Sequence, residues 1–332
     1  MNKPKLFLHA GAPKTGSSAL QTSFALSMDG LSQQGIFYPT PPKLQDAVAG
    51  MITSGNYNPA RVKDLYHAAL EKSADSRCIL FSNEAGFRLL PEPDGQLLSL
   101  ARSGIEIETL LFIRNPIELA CSSYVQTVKR HGSSADPTQF FKKFGAIDRV
   151  EEFVAFFDAH GLKLNLFNYS KLGDRLFHVV EDLLDVNRDT LKSPPVAQVN
   201  RSLSRAEIRL VRDLNASIGK EAASLVADAL CNELPDVRAE PPNVSKHAYA
   251  ALVERVSPVI ERLNARLPGS EVYEITPYEE AFGDQPENYD AGLKFSKDQQ
   301  RVIRDALVTA LEKPAEATRV PKVWSALLSR FH

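Results

Sequence analysis

Apolar residues along the chain follow two periods. "LKLNLFNY" (162–169) reads as one strand, and shorter, near-continuous apolar runs at 6–10 ("LFLHA"), 78–82 ("CILFS") and 107–113 ("IETLLFI") are bounded by polar or turn residues. Such runs predict strands buried on both faces. "GIFYP" (35–39) predicts a further short strand. Between these runs the spacing turns helical. The segment 17–34 carries Leu20, Phe24 and Leu31 and is stopped by Gly35, and 61–73, 116–130 and 148–160 read the same way. Strands alternating with helices predict an α/β fold, a parallel sheet flanked by helices, with ligands beyond the carboxyl ends of the strands. Residues 40–60, rich in Pro, Gly and Asn, predict a loop over the surface.

After about residue 172 the strand signal stops. Helical spacing covers 204–217, 220–233, 246–267 and 295–312, with proline-rich joints at 194–195, 241–242 and 268. The expected organisation is one α/β domain with a helical cover over 1–275 and a C-terminal helical extension over 276–332. "VPKVWSALLSRFH" at the end has apolar residues at helical spacing and reads as a packing segment, not a membrane anchor.

Composition narrows the class. The chain has 332 residues and a formal net charge of −2, which gives no general attraction to nucleic acid or an anionic membrane. Cys78, Cys121 and Cys231 lie far apart with no C-x-x-C pair, so buried thiols in a reducing compartment are expected, not a disulfide framework. The seven histidines show no H-x-x-x-H spacing, and no zinc or other metal site is expected. The N-terminus is too short in apolar residues for a signal peptide, and no run reaches the roughly 18 apolar residues of a membrane span. A cytoplasmic protein is the expectation.

The chemistry gathers first after the first strand. In "HAGAPKTGSSALQ" (9–21), Gly11 and Gly16 have the spacing of a phosphate-binding loop, but Lys14 precedes the second glycine. A strand, a glycine turn and a helix start form an anion site because the first helical N–H groups lack internal partners. Thr15, Ser17 and Ser18 can donate hydroxyl bonds there, and Lys14 brings a full charge. A second anchor follows the 107–113 strand in "LLFIRNPIELACSSYVQTVKRHG" (110–132). Arg114 closes that strand, Asn115 can cap the helix begun by Pro116, and Ser122 lies two turns in. A guanidinium at that edge suits a phosphate. Two anion-ready strand ends suggest a ligand with two separated phosphate-like groups.

These two stretches resemble motifs of the PAPS-dependent sulfotransferases, PAPS being 3′-phosphoadenosine 5′-phosphosulfate. "PKTGSSALQ" is similar to their 5′-phosphosulfate loop. "IRNPIELACSSY" is similar to their 3′-phosphate motif, and "VNRSLSRAEIRLVRDLN" (199–215) resembles bacterial members. The resemblance implies PAPS as co-substrate and no metal. It places Lys14, Thr15, Gly16, Ser17 and Ser18 around the 5′ group, with Arg114 and Ser122 on the 3′-phosphate. Arg201 and Arg205 are either surface residues or cofactor ligands that reach the 3′-phosphate or adenine from a closing loop. The acceptor would be a carbohydrate or glycolipid hydroxyl, or an amine, by likeness to the glycan-modifying branch. That branch carries a catalytic glutamate after an equivalent strand, which points to Glu84 in "ILFSNEAGF" as base; His9, beside the loop, is the competing candidate. Two other readings stay open at this level: a Mg-dependent P-loop kinase or phosphotransferase, and a non-catalytic nucleotide- or glycan-binding protein.

Overall fold

The computed structural model describes residues 3–51, 53–73, 75–195, 201–283 and 293–312. The C-terminal segment 313–332 lies outside them. The chain divides into two compact units, Met1–Pro116 with Gly145–Ala197 and Arg255–Ile275, and Ile117–Phe144 with Gln198–Glu254 and Thr276–His332. The two units interleave along the chain. Helical spacing marks each helix but not which helices share a core.

The first unit is built on a five-stranded parallel sheet of β1 (Lys5–Ala10), β2 (Ile36–Phe37), β3 (Cys78–Asn83), β4 (Ile107–Ile113) and β5 (Lys163–Asn168). The strand order is β2-β3-β1-β4-β5. β1, β3 and β4 are apolar almost throughout because helices cover both sheet faces. On one face Phe7, Leu80 and Phe112 pack with Leu20 and Phe24 of helix Ser17–Leu26 and with Leu176 and Val180 of helix Leu176–Leu184. Complete burial of a residue such as Leu20 or Phe24 stabilises by about 1.5–3 kcal/mol. On the opposite face, Phe81 stacks on Tyr57 at 4.9 Å, and Phe87 meets Phe153 of helix Ala146–Ala159 at 5.5 Å.

Two expectations change here. The single helix over 17–34 is two, Ser17–Leu26 and Met28–Gln33, broken at Ser27. The buried Ser27 hydroxyl accepts a bond from the Lys192 amide at 2.8 Å, which anchors the break. Nor do residues 40–60 run loosely over the surface. Asn56 is buried, donates to the carbonyls of Pro39 and Leu80, and accepts from the Ser82 amide at 2.8 Å. Gly55 forms an antiparallel bridge to Asn83 at φ 101, where a Cβ would lie 1.9 Å from the Ser82 carbonyl oxygen. Only glycine fits, so this stretch is welded to the end of β3.

The second unit is helical among its described residues. Helices Arg205–Ser217, Lys220–Glu233 and Lys297–Glu312 enclose a core of Val211, Leu214, Val226, Leu230, Val302 and Ile303. Ser204 and Glu207 form a reciprocal capping box at the first of these helices. No helix among the described residues is long and apolar enough to cross a membrane.

Candidate functional site

The sheet topology selects a location before any side chain is considered. β1 connects to β2 on one side of itself, whereas β3 connects to β4 on the other. With right-handed crossovers these connections run over opposite faces, opening a crevice between the carboxyl ends of β1 and β3. The loop 11–16 leaves β1 at that crevice, and Glu84 follows β3.

The loop is held by its own chain. The Gly11 amide donates to the Asn83 carbonyl at 3.0 Å, tying the loop to β3. A Cβ on Gly11 would lie 2.8 Å from Ser17 Oγ and 2.9 Å from Glu84 Cα, so close approach requires glycine here. Thr15 Oγ1 donates to the Ala12 carbonyl at 2.8 Å, and Ser17 Oγ reaches the same oxygen at 3.4 Å. Thr15 and Ser17 are buried, and their hydroxyls brace the turn. Gly16, at φ 79, caps helix Ser17–Leu26 without any side-chain cap bond. The opening amides of that helix thus keep their capacity for an anion.

Lys14 has φ 65, a left-handed conformation that costs a residue with a side chain about 1–2 kcal/mol. Stored strain of this kind is characteristic of ligand-gripping loops. Lys14 is exposed, and its charge reaches Glu84. Glu84 Oε1 accepts from Ser18 Oγ at 3.4 Å. Partial removal from water raises the Glu84 carboxyl above its ordinary value, while the Ser18 bond and the Lys14 charge pull it back. A carboxylate poised upward beside a cation is suited to taking a proton.

His9 is a core histidine. It is completely buried between Phe24 and Phe112, with Nδ1 at 2.9 Å from Ser82 Oγ. Burial pushes its pKa down to about 4. A ring with no exposed surface does not meet an acceptor, so the expectation of His9 as base is corrected.

Arg114 reaches the same edge from β4. Its guanidinium donates to the Lys14 carbonyl at 3.2 Å and lies 5.9 Å from the centre of the Tyr169 ring. Tyr169, directly after β5, also faces the loop, since a Cβ on Gly16 would meet Tyr169 Cε2 at 2.8 Å. Tyr169 therefore supports both Gly16 and Arg114. The sequence reading missed it, although "FNYS" ends an apolar strand at the edge where the other candidates gather. Asn115 spends its carbonyl oxygen on Asn168 Nδ2 and the Glu274 amide, fixing the chain just after Arg114.

The first unit thus brings together Lys14, Thr15, Gly16, Ser17, Ser18, Glu84 and Arg114. Ser122 lies in the second unit, half-buried on helix Pro116–His131, with its hydroxyl donating to the Leu119 carbonyl at 3.2 Å. Arg201 also lies in the second unit, and it is neither a surface residue nor available to a ligand. It is buried against Glu207 with bonds of 2.7 and 2.9 Å, and also donates to the carbonyls of Ser202, Leu230 and Leu234. The cofactor role expected for Arg201 is corrected accordingly. Arg205 donates to the Pro241 carbonyl at 3.3 Å. Among the described residues, no group of three or more His, Cys, Asp and Glu is placed to hold a metal ion.

No family model matches the chain, and no curated protein matches it in sequence. Among solved structures, it is similar to retinol dehydratase in complex with androsterone and the inactive cofactor PAP. Identity is 11%, covering 96% of this chain and 84% of that one, with a TM-score of 0.28. A likeness at that TM-score fixes neither fold nor function, and the site must be read from its own residues.

Proposed function

We propose that the chain is a PAPS-dependent sulfotransferase, transferring a sulfuryl group to a hydroxyl or amine of a carbohydrate or glycolipid acceptor. One observation carries this reading. At the β1/β3 crevice, an uncapped helix start bonds Glu84 through Ser18, the charge of the left-handed Lys14 reaches the same carboxylate, and Arg114 is bonded to the loop. Cation, carboxylate and second cation are the set that transfer between a doubly phosphorylated nucleotide and a neutral nucleophile requires.

The residues suit that donor. Gly11 and Gly16 let the backbone approach a phosphosulfate, the amides of Ser17 and Ser18 supply donors, and Arg114 offers its guanidinium to the 3′-phosphate. The Ser122 assignment rests on its motif. PAPS supplies the activated sulfuryl group. Glu84 takes the acceptor's proton as the acceptor oxygen bonds to sulfur. The bond from sulfur to the 5′-phosphate oxygen breaks, its electron pair leaving with adenosine 3′,5′-bisphosphate. Lys14 neutralises the charge that develops on that oxygen.

The test is an acceptor screen with sulfur-labelled PAPS across hydroxyl- and amine-bearing glycans and glycolipids. The expected result is label on at least one acceptor, lost in Glu84→Gln with nucleotide binding intact. Transfer unaltered in Glu84→Gln would remove Glu84 from the mechanism. Nucleotide binding with no transfer to any acceptor would favour a binding protein.

A further inference from the structure

On the sheet face opposite helix Ser17–Leu26, a cavity of about 260 Å³ opens beside the edge of the sheet. Phe37 of β2 and Phe81 of β3 form one side, and Leu65 and Ala68 of helix Val62–Lys72 form the other. Two of its residues are held in place. Phe81 is held by its stack on Tyr57, and the Asn56 amide in the floor is already bonded to Pro39, Leu80 and Ser82. The one charged group in the lining is Lys72, which is exposed and forms no ion pair among the described residues.

We propose that this cavity is a second binding site, independent of the phosphate loop, for a small amphipathic anion with an aromatic ring and a carboxylate. The volume fits such a ligand. That volume exceeds the roughly 150 Å³ that encloses benzene in a closed apolar cavity, and the open side leaves room for a short polar tail. Phe37 and Phe81 offer edge or offset-stacked contacts to that ring. Leu65 and Ala68 cover its aliphatic edge, and Lys72 pairs with the carboxylate. Asn56 connects the floor to the Ser82 amide, so an occupant braces the end of β3 two residues before Glu84.

The probe is 3-phenylpropionate, with 3-phenylpropan-1-ol as its neutral counterpart, followed by saturation-transfer NMR on the full chain. Saturable binding in the range of about 0.1–1 mM is expected, with the alcohol at least about fivefold weaker. Lys72→Glu should weaken the acid about tenfold and leave the alcohol unchanged. Ala68→Trp should abolish both, and because Ala68 is exposed the substitution spares the core. Neither result depends on sulfuryl transfer. Absence of saturable binding of the acid, or an affinity for it unchanged in either variant, would overturn the proposal.

Discussion

Gly16→Ala isolates the feature on which the loop depends. Two terms oppose the new methyl group. A left-handed backbone at φ 79 costs a residue with a Cβ about 1–2 kcal/mol. The methyl would also stand 2.8 Å from Tyr169 Cε2 and 3.0 Å from Leu176 Cδ2, an overpacking that adds about 1–3 kcal/mol. Gly104 separates the two terms. Its φ is 78, but nothing lies within 4 Å of its Cβ position, so Gly104→Ala carries the backbone term alone. The loss of unfolded-chain entropy is common to both substitutions and cancels. Both glycines belong to the first unit, so one unfolding transition reports both. Urea denaturation followed by circular dichroism should find Gly16→Ala less stable than Gly104→Ala by about 1–3 kcal/mol. Adding Tyr169→Leu to Gly16→Ala should recover part of that difference. Equal destabilisation of the two glycine variants would refute the claim that Tyr169 and Leu176 define the back of the loop.

Four further outcomes are expected. Lys14→Ala should lower turnover by about 10²-fold or more, the scale of a lost transition-state donor, and unchanged steady-state rates would remove Lys14 from the mechanism. Because partial desolvation lifts the Glu84 carboxyl despite the Ser18 bond and the Lys14 charge, and the base acts deprotonated, kcat/KM should rise with pH through a midpoint above the ordinary carboxylate value of 4.5; a midpoint at or below it would contradict that placement. His9 titrates at about 4 when folded and at 6.5 when unfolded, so its contribution to stability is complete above pH 6.5 and is lost as pH falls toward 4. Between those values it should add a slope of about 1.4 kcal/mol per pH unit, which His9→Asn should remove from a denaturation series. In the second unit, Arg201→Met leaves Glu207 buried without its partner and should cost about 3–5 kcal/mol in urea unfolding; a loss under 1 kcal/mol would return Arg201 to the list of ligand residues.

The sheet was legible because β1, β3 and β4 are apolar runs with sharp polar ends, the signature of strands buried twice. Helices Arg205–Ser217 and Lys220–Glu233 were equally plain, one opened by the Ser204 capping box and the other following Gly219. The short helices Leu44–Val48, Gly86–Leu89 and Pro137–Lys143 carry too few residues for a helical period to register. At the site, Lys14, Gly16 and Arg114 announced themselves by standing at strand ends. His9 shares that position, but its environment comes from Phe24 and Phe112 on separate elements, which no local pattern encodes. Arg201 was read without its partner, because its ion pair with Glu207, buried beneath the cap of helix Arg205–Ser217, is a property of the packed unit. Tyr169 went unread for the same reason: its role lies in contacts to Gly16 and Arg114, each far away in the chain.

Titration calorimetry with adenosine 3′,5′-bisphosphate in the presence of a chelator tests the central claim most directly, because it depends on neither acceptor nor turnover. Binding in the micromolar range is predicted, about −8 kcal/mol, with a marked loss in Arg114→Ala that adenosine 5′-phosphosulfate does not share. No binding of the bisphosphate, together with tighter binding of ATP once Mg²⁺ is supplied, would contradict the sulfotransferase reading and point to a phosphotransferase.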